Sequence, residues 1–114
     1  MPDCLFCKII SGEIPATLVH EDDRLVAFLD VNPQAPTHIL IVPRRHIATL
    51  NALTAHDDGL IGEMLRRATL IAADRGHAET GYRTVFNCNA DGGQTVFHIH
   101  LHLLGGRAMQ WPPG

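Results

Sequence analysis

The chain has 114 residues and a mass of 12.5 kDa, which suits one compact domain spanning 1–114, because a chain of this size can bury enough apolar surface to fold alone. Its net charge of −3 lacks the basic surplus that polymeric nucleic acid attracts, which excludes that class of partner. The sequence has no apolar run near the roughly 20 residues of a membrane-spanning helix and no signal-peptide pattern, so we expect a cytoplasmic protein without a membrane partner.

A short helical turn and three strands are predicted in the first part of the chain. Residues 8–15 have the pattern of a helical turn that is broken at Gly12. Residues 18–21 and 24–29 flank a tight turn and predict a β-hairpin. Residues 38–42 are rich in β-branched side chains and predict a third strand.

One long helix is predicted from Thr54 to about Arg75. Thr54 is a suitable N-cap, and Gly76 suits the exit of the chain from the last turn. Apolar residues recur three or four positions apart, which is the spacing of one helical face. They are Leu60, Ile61, Met64, Leu65, Ala68, Ile71 and Ala72.

Two further strands are predicted over residues 83–87 and 95–104, with a loop over 89–93 between them. The predicted fold class is therefore α+β: a mainly antiparallel five-stranded sheet with one long helix and a short N-terminal helix. The tail contains Trp111, and a large aromatic residue of this kind is expected to dock on the same subunit or on a partner. We include Trp111 among the candidate substrate-binding residues.

Histidine is the residue in excess, since the chain has eight where average composition predicts about two or three. His98, His100 and His102 alternate on the last predicted strand, so their side chains share one face. Neighbours on that face stand roughly 7 Å apart, which suits one phosphate group better than one metal ion. Imidazole can attack when neutral and donate a proton when charged. The alternative is three half-buried histidines that bond to backbone carbonyls.

The loop before this strand offers groups that bind anions. Residues 91–95 present unobstructed backbone N–H groups, the Gln94 amide and the Thr95 hydroxyl, and Asn87 adds another donor. A plain hairpin turn explains the Asp-Gly-Gly run equally well. The loop therefore predicts a site only together with the histidines.

The run His98-Ile99-His100-Leu101-His102-Leu103-Leu104 resembles the motif of the histidine triad (HIT) superfamily. Residues 30–38, 91–94 and 105–114 are similar to its Hint branch, the purine nucleoside phosphoramidase-like proteins, so the resemblance covers nearly the whole chain. It implies a homodimer that hydrolyses purine nucleoside phosphoramidates, in which AMP or GMP is joined to an amine. A rival of another class is a nucleotide-binding regulatory or scaffold protein whose turnover is incidental.

The resemblance also implies roles for individual residues. His100 matches the nucleophile, which attacks the α-phosphorus to form a nucleotidyl-histidine intermediate. Asp30 matches the carboxylate that accepts the ribose hydroxyls, and His38 is expected to orient the triad or to be only structural. Thr95 stands where the Hint branch usually has Ser, so its methyl group can narrow the pocket. The matched phosphate contacts are Asn87, Gly93, Thr95 and His102, and the matched lining of the base pocket is Leu5, Phe6, Ile9, Ile14 and Phe28.

Cys4 and Cys7 have the spacing of a zinc knuckle, which needs two further ligands. Zinc-bearing relatives, including the galactose phosphate uridylyltransferases, join such a pair to a Pro-x-x-His histidine and to the first histidine of the triad. This resemblance implies His46 and His98 as the other ligands. Such a zinc ion would be structural and is not required for the chemistry. The alternative is two buried free thiols.

Overall fold

The computed structural model describes residues 3–114. Their strands form one sheet, and one long helix packs against it. Two short 3-10 turns, Leu50–Ala52 and Ala55–Asp57, precede the long helix. The elements in chain order are α1 (Leu5–Ile10), β1 (Leu18–Glu21), β2 (Leu25–Leu29), β3 (Thr37–Pro43), α2 (Asp58–Asp74), β4 (Tyr82–Phe86), α3 (Asn89–Gly92) and β5 (Leu101–Gly105).

The five strands pair antiparallel in the order β1-β2-β3-β5-β4. The predicted α+β fold, with its long helix and short N-terminal helix, is therefore confirmed. The bounds of β1 to β4 agree with the prediction to within one residue at each end. Within residues 3–114, none of the helices has the length and apolar character needed to cross a membrane.

The alternation of side chains on β3 separates the two faces of the sheet. Ile39 and Ile41 belong to the larger core, where α2 packs through Met64 and Ala68. The neighbouring position, Leu40, faces the other way, toward a smaller apolar cluster that includes side chains of the N-terminal segment. One face of the sheet is therefore covered by α2, and the other is left for the N-terminal segment and the histidines.

The predicted long helix begins later than expected, because its first turns are 3-10 and α2 proper starts at Asp58. Thr54 caps this region as predicted: its hydroxyl accepts from the backbone of the turn, while the Asp57 carboxylate accepts from the Thr54 N–H at 2.8 Å. Most of the predicted apolar face is buried, but Leu65 is 41% exposed and lies at its edge.

The N-terminal helix begins earlier than predicted, at Leu5 rather than after Cys7. The cause is a cap that the pattern did not suggest: the Cys4 Sγ accepts from the Cys7 N–H at 3.3 Å. The helix ends at Ile10, before Gly12, which has φ of +83° and so leaves the helical region.

The prediction of a strand over 95–104 was wrong for its first part, because β5 begins only at Leu101. β5 pairs with β3 from Ile41↔Leu101 onward, and β3 ends at Pro43, which has no N–H to continue the ladder. Segment 95–100 is instead held by loop contacts, among them the Ile99 N–H donating to the Ile47 carbonyl at 2.8 Å. The predicted loop over 89–93 is also replaced in part, by the single helical turn α3.

Candidate active site

A pocket of about 360 Å³ opens on the face of the sheet that carries α1. Most of its lining is apolar, and its ionisable groups are Asp30, His100 and His102. Many of the residues predicted from the sequence therefore meet at one place. Those that line it are Leu5, Phe6, Ile9, Ile14, Phe28, Asp30, Thr95, His100 and His102.

His100 lines the pocket with its Nδ1 turned away from solvent. Nδ1 lies 2.8 Å from the His98 carbonyl oxygen, and since a carbonyl can only accept, Nδ1 donates and carries the ring proton. The lone pair of the neutral ring is therefore on Nε2. The edge-on ring of Phe6, 4.9 Å away between centroids, fixes the plane of the imidazole. Burial lowers the pKa of His100, which keeps Nε2 free to attack near neutral pH.

His102 has the opposite proton arrangement, and His38 imposes it. The Gln34 backbone N–H donates to Nδ1 of His38 at 3.0 Å, so the proton of neutral His38 is on Nε2. That Nε2 donates to Nδ1 of His102 at 2.9 Å. The proton of neutral His102 is therefore on its own Nε2. Burial, followed by the neighbouring His100 and His38, lowers the pKa of His102 to about 4, so near neutral pH the ring is an uncharged N–H donor.

His98 is fully buried and turns away from the pocket chemistry. Its Nε2 donates to the Pro43 carbonyl at 2.7 Å, which leaves the lone pair on Nδ1. Burial lowers the pKa of this ring as well. The three alternating histidines thus bond to three different partners. The ring centroids of His100 and His102 are 4.9 Å apart, closer than the spacing along an ideal strand face.

The Nδ1 lone pair of His98 points into a cluster with Cys4, Cys7 and His46, whose ligand atoms all lie within 4.8 Å of one another. Nδ1 of His98 is 3.4 Å from the Cys4 Sγ, 3.5 Å from the Cys7 Sγ and 3.2 Å from Nδ1 of His46. At ordinary Zn–N and Zn–S lengths, a tetrahedral site separates nitrogen pairs by about 3.4 Å and nitrogen–sulfur pairs by about 3.6 Å.

The donor set of this cluster also fits zinc. Two thiols and two imidazoles are a common structural zinc set, and the Pro43 carbonyl supplies the outer hydrogen bond that fixes the ligating tautomer of a histidine. Burial, followed by the hydrogen bond with Cys4, raises the pKa of the Cys7 thiol, so without a metal the thiol stays protonated.

Asp30, His38 and His102 form a second group that meets the same distance condition. Here the hydrogen bonds argue against a metal. The Nε2 of His38, which lies 3.4 Å from the Asp30 Oδ2, carries the proton that it donates to His102 and has no lone pair to give. The other Asp30 oxygen, Oδ1, accepts from the Asn32 N–H at 2.8 Å. His38 and His102 are therefore a hydrogen-bonded pair, with the Asp30 carboxylate beside them.

The loop residues predicted to bind phosphate do not all line the pocket. Thr95 lines the pocket, whereas Asn87, Gly93 and Gln94 are not part of its lining. Gln94 is buried and braces its own segment: its Oε1 accepts from the Asn89 N–H, and its Nε2 donates to the Ala48 and Val96 carbonyls. A substrate contact from Gln94 stays a prediction.

Trp111 is 82% exposed and is not among the residues that line the pocket of its own chain. A substrate contact from this residue would therefore need a second copy of the chain. Six residues that line the pocket were not predicted: Pro15, Ala16, Leu29, Val31, Leu40 and Val96. Leu40 could have been found, because it lies two residues after His38 on the same strand and shares its face.

Comparison with known proteins covers most of the chain. A HIT domain family model matches residues 11–109. The purine nucleoside phosphoramidase of Escherichia coli K12 is 50% identical over 107 residues, 94% of this chain and 90% of that protein. The crystal structure of a HIT family hydrolase from Legionella pneumophila has a TM-score of 0.97 at 59% identity, covering 98% of this chain and 100% of the other. A zinc-bound histidine triad family protein from Mycobacterium smegmatis has a TM-score of 0.80 at 32% identity, covering 93% of this chain and 76% of the other.

Proposed function

Because the chain belongs to the HIT family, we propose that it is a nucleotide hydrolase that cleaves purine nucleoside phosphoramidates through a nucleotidyl-His100 intermediate. The observation that carries the proposal is the pair of opposite tautomers at one pocket. His100 presents a lone pair and His102 presents an N–H donor. A nucleophile beside a donor is what displacement at a phosphate requires, whereas binding alone would need only the donors.

In the first step the lone pair on Nε2 of His100 attacks the α-phosphorus. The P–Nε2 bond forms as the bond from phosphorus to the amine breaks, and the amine leaves with a proton taken from solvent. The ring becomes a phosphorylated imidazolium, whose remaining Nδ1–H still donates to the His98 carbonyl at 2.8 Å. That hydrogen bond strengthens as the ring gains positive charge, so it favours the transition state over the ground state.

In the second step a water oxygen attacks the same phosphorus, the P–Nε2 bond breaks, and a proton is released to solvent. His102 donates its Nε2–H to a phosphate oxygen in both steps, where negative charge is concentrated. Because the pKa of His102 is lowered to about 4, the ring acts as a hydrogen-bond donor that keeps its proton. The Thr95 hydroxyl at the pocket adds a further donor, and we propose Asn87 and Gly93 as additional phosphate contacts because they match the family's motif.

The rest of the pocket accounts for the nucleoside. Phe6 and Phe28 stack edge to face at 5.4 Å and, with the aliphatic side chains of α1, give a purine an apolar slot. Asp30 is half-buried at the pocket, and a carboxylate is suited to accept hydrogen bonds from the two ribose hydroxyls. This lining does not choose between adenine and guanine, so both AMP and GMP conjugates are substrates in this proposal.

We also propose a structural zinc ion held by Cys4, Cys7, His46 and His98, because the distances and donor set of the cluster fit one. When bound, zinc would cross-link the start of α1, the segment after β3 that carries His46, and segment 95–100. His98 then connects both parts of the site: its ring faces the cluster, and its carbonyl accepts from His100. The chemistry at phosphorus uses no metal.

The active form is proposed to be a homodimer. Trp111 lies outside its own chain's pocket and is largely exposed, which for a tryptophan is better explained by an interface than by solvent. A partner could both cover it and bring it to the substrate.

The proposal is tested by hydrolysis of a fluorogenic adenosine phosphoramidate. His100→Ala should lower kcat/KM by about 10⁴-fold or more, because the covalent step loses its nucleophile. AMP should still bind the variant within about threefold of the wild-type Kd, since the base pocket and His102 remain. The wild type should also yield an acid-labile nucleotidyl adduct on His100 by mass spectrometry.

His56→Ala is the matched control, since His56 is an exposed histidine in the turn before α2 and should leave turnover unchanged. Turnover by His100→Ala at the wild-type rate would overturn the mechanism. Tight AMP binding by a wild type without turnover would instead favour the regulatory or scaffold protein.

A further inference from the structure

Arg107 is an exposed residue that follows β5 and Gly106, and one of its hydrogen bonds reaches the loop between β2 and β3. Its Nε donates to the Gln34 carbonyl at 2.9 Å and its Nη1 to the Ala108 carbonyl at 3.2 Å. Its guanidinium forms no ion pair within residues 3–114. An arginine that bonds only to carbonyls holds backbone in place.

The turn that carries Arg107 is built to lie against the same loop. Gly106 has φ of +95°, and a Cβ placed there would stand 2.9 Å from the Pro36 side chain. Both the backbone angle and the close approach require glycine at this position. The turn after β5 therefore lies against Pro36, two residues from Gln34, to which Arg107 bonds.

Gln34 is the residue whose backbone N–H donates to Nδ1 of His38 at 3.0 Å. That bond decides which nitrogen of His38 carries the proton and, through the 2.9 Å bond from His38, which nitrogen of His102 does. If the Gln34 N–H moved away, His38 could hold its proton on Nδ1 and accept from His102 instead. Nε2 of His102 would then present a lone pair to the phosphate, which repels it.

We propose that Arg107 is a positioning residue for His102: by holding Gln34, it keeps the His38–His102 pair in the tautomer that gives the phosphate an N–H donor. The chain of contacts is Arg107 to Gln34, Gln34 to His38, and His38 to His102. This inference rests on the proposed function for its kinetic consequence, but its statement about the tautomer stands independently.

Arg107→Met should lower kcat by about five- to tenfold, which corresponds to about 1–1.4 kcal/mol and so to the loss of one hydrogen bond. The Kd of adenosine, which has no phosphate, should stay within about twofold. Arg107→Lys should recover part of the loss, because its ammonium can still donate to the Gln34 carbonyl. Two-bond ¹H–¹⁵N spectra should show His102 protonated at Nε2 in the wild type and a mixture of tautomers in Arg107→Met.

Arg24→Met is the matched control. Arg24 is an exposed arginine that precedes β2, and it donates to the Glu63 carboxylate at 3.2 Å, with no bond to Gln34. It should keep the wild-type kcat and the wild-type His102 spectrum. Light scattering on every variant should show the same number of subunits as in the wild type.

Four results would overturn the proposal. They are a wild-type spectrum with His102 protonated at Nδ1, an unchanged spectrum in Arg107→Met, an equal loss of kcat in Arg24→Met, and adenosine affinity that falls in step with kcat. The last would mean that the loop has merely loosened. If the wild type hydrolyses no phosphoramidate, the proposed function fails, while the spectra still decide the role of Arg107 in setting the tautomer.

Discussion

At the scale of single residues, three histidines of one motif differ because each has a different hydrogen-bond partner. The His98 carbonyl leaves a lone pair on Nε2 of His100, the N–H of His38 leaves an N–H donor on His102, and the Pro43 carbonyl turns the lone pair of His98 to the cysteines. Sequence shows only three equal histidines. The partners come from residues up to 64 positions away, so the division of roles depends on the tertiary fold.

The buried neutral state of His102 predicts how stability changes with pH. The pKa of His102 is lowered from 6.5 to about 4 in the folded chain, so between those values the unfolded chain binds a proton that the folded chain does not. The free energy of unfolding should therefore fall as pH drops from 6.5 to 4. Allowing for the partial exposure of the ring, the share of His102 is on the order of 1–2 kcal/mol.

Urea unfolding at pH 7.5, 6 and 5 measures this slope, with a chelator present throughout so that metal loss does not contribute. His102→Asn should flatten the slope relative to the wild type, while His56→Asn, at an exposed site, should keep it. A wild-type slope equal to that of His102→Asn would contradict the role given to burial.

At the scale of elements, the features predicted correctly from the sequence are those that depend on the spacing of apolar residues along the chain. The long helix, the strands β1 to β4 and the cap at Thr54 follow from residue spacing, because side chains on those elements face one core. The start of β5 and the bracing role of Gln94 do not follow. A strand ends where its neighbour can no longer donate, here at Pro43, and the Gln94 amide bonds to the carbonyl of Ala48, 46 positions away. Pairing of this kind is not encoded locally.

The proposed zinc ion would join two elements that sequence separates by about ninety residues, α1 and segment 95–100. The wild type should contain about one zinc per chain by elemental analysis, and Cys7→Ser should contain almost none. The thermal midpoint of the variant should fall by on the order of 10 °C, since about 1 kcal/mol corresponds to roughly 4–8 °C in a domain of similar size.

Cys88→Ser is the control for this experiment, because Cys88 is a half-buried free cysteine outside the cluster. It should retain the full zinc content. Wild-type protein that purifies without zinc, and gains none on incubation with zinc salts, would leave the four residues as a hydrogen-bonded thiol–imidazole cluster.

At the scale of the whole molecule, the sheet separates the larger core on one face from the pocket on the other. α2 covers one face with the larger core, and the pocket, α1 and the histidines share the other. The sheet also ends in β4, an edge strand whose residues are all only half-buried. An edge of this kind is usually covered or paired, and with Trp111 it is the part of the surface that a second copy would best explain.

The proposed dimer can be followed through Trp111, because it is the only tryptophan in the chain. Light scattering should give a mass of twice the 12.5 kDa subunit. The tryptophan emission should be blue-shifted relative to that of a solvent-exposed tryptophan. On dilution, the mass and the emission should change together, because one interface controls both. The dimer of Trp111→Ala should dissociate at a higher protein concentration than the dimer of Trp111→Phe, because the Phe variant keeps an aromatic ring at the contact. A stable dimer whose tryptophan emits as in water would place Trp111 outside the interface, and a monomer at every concentration would remove the dimer itself.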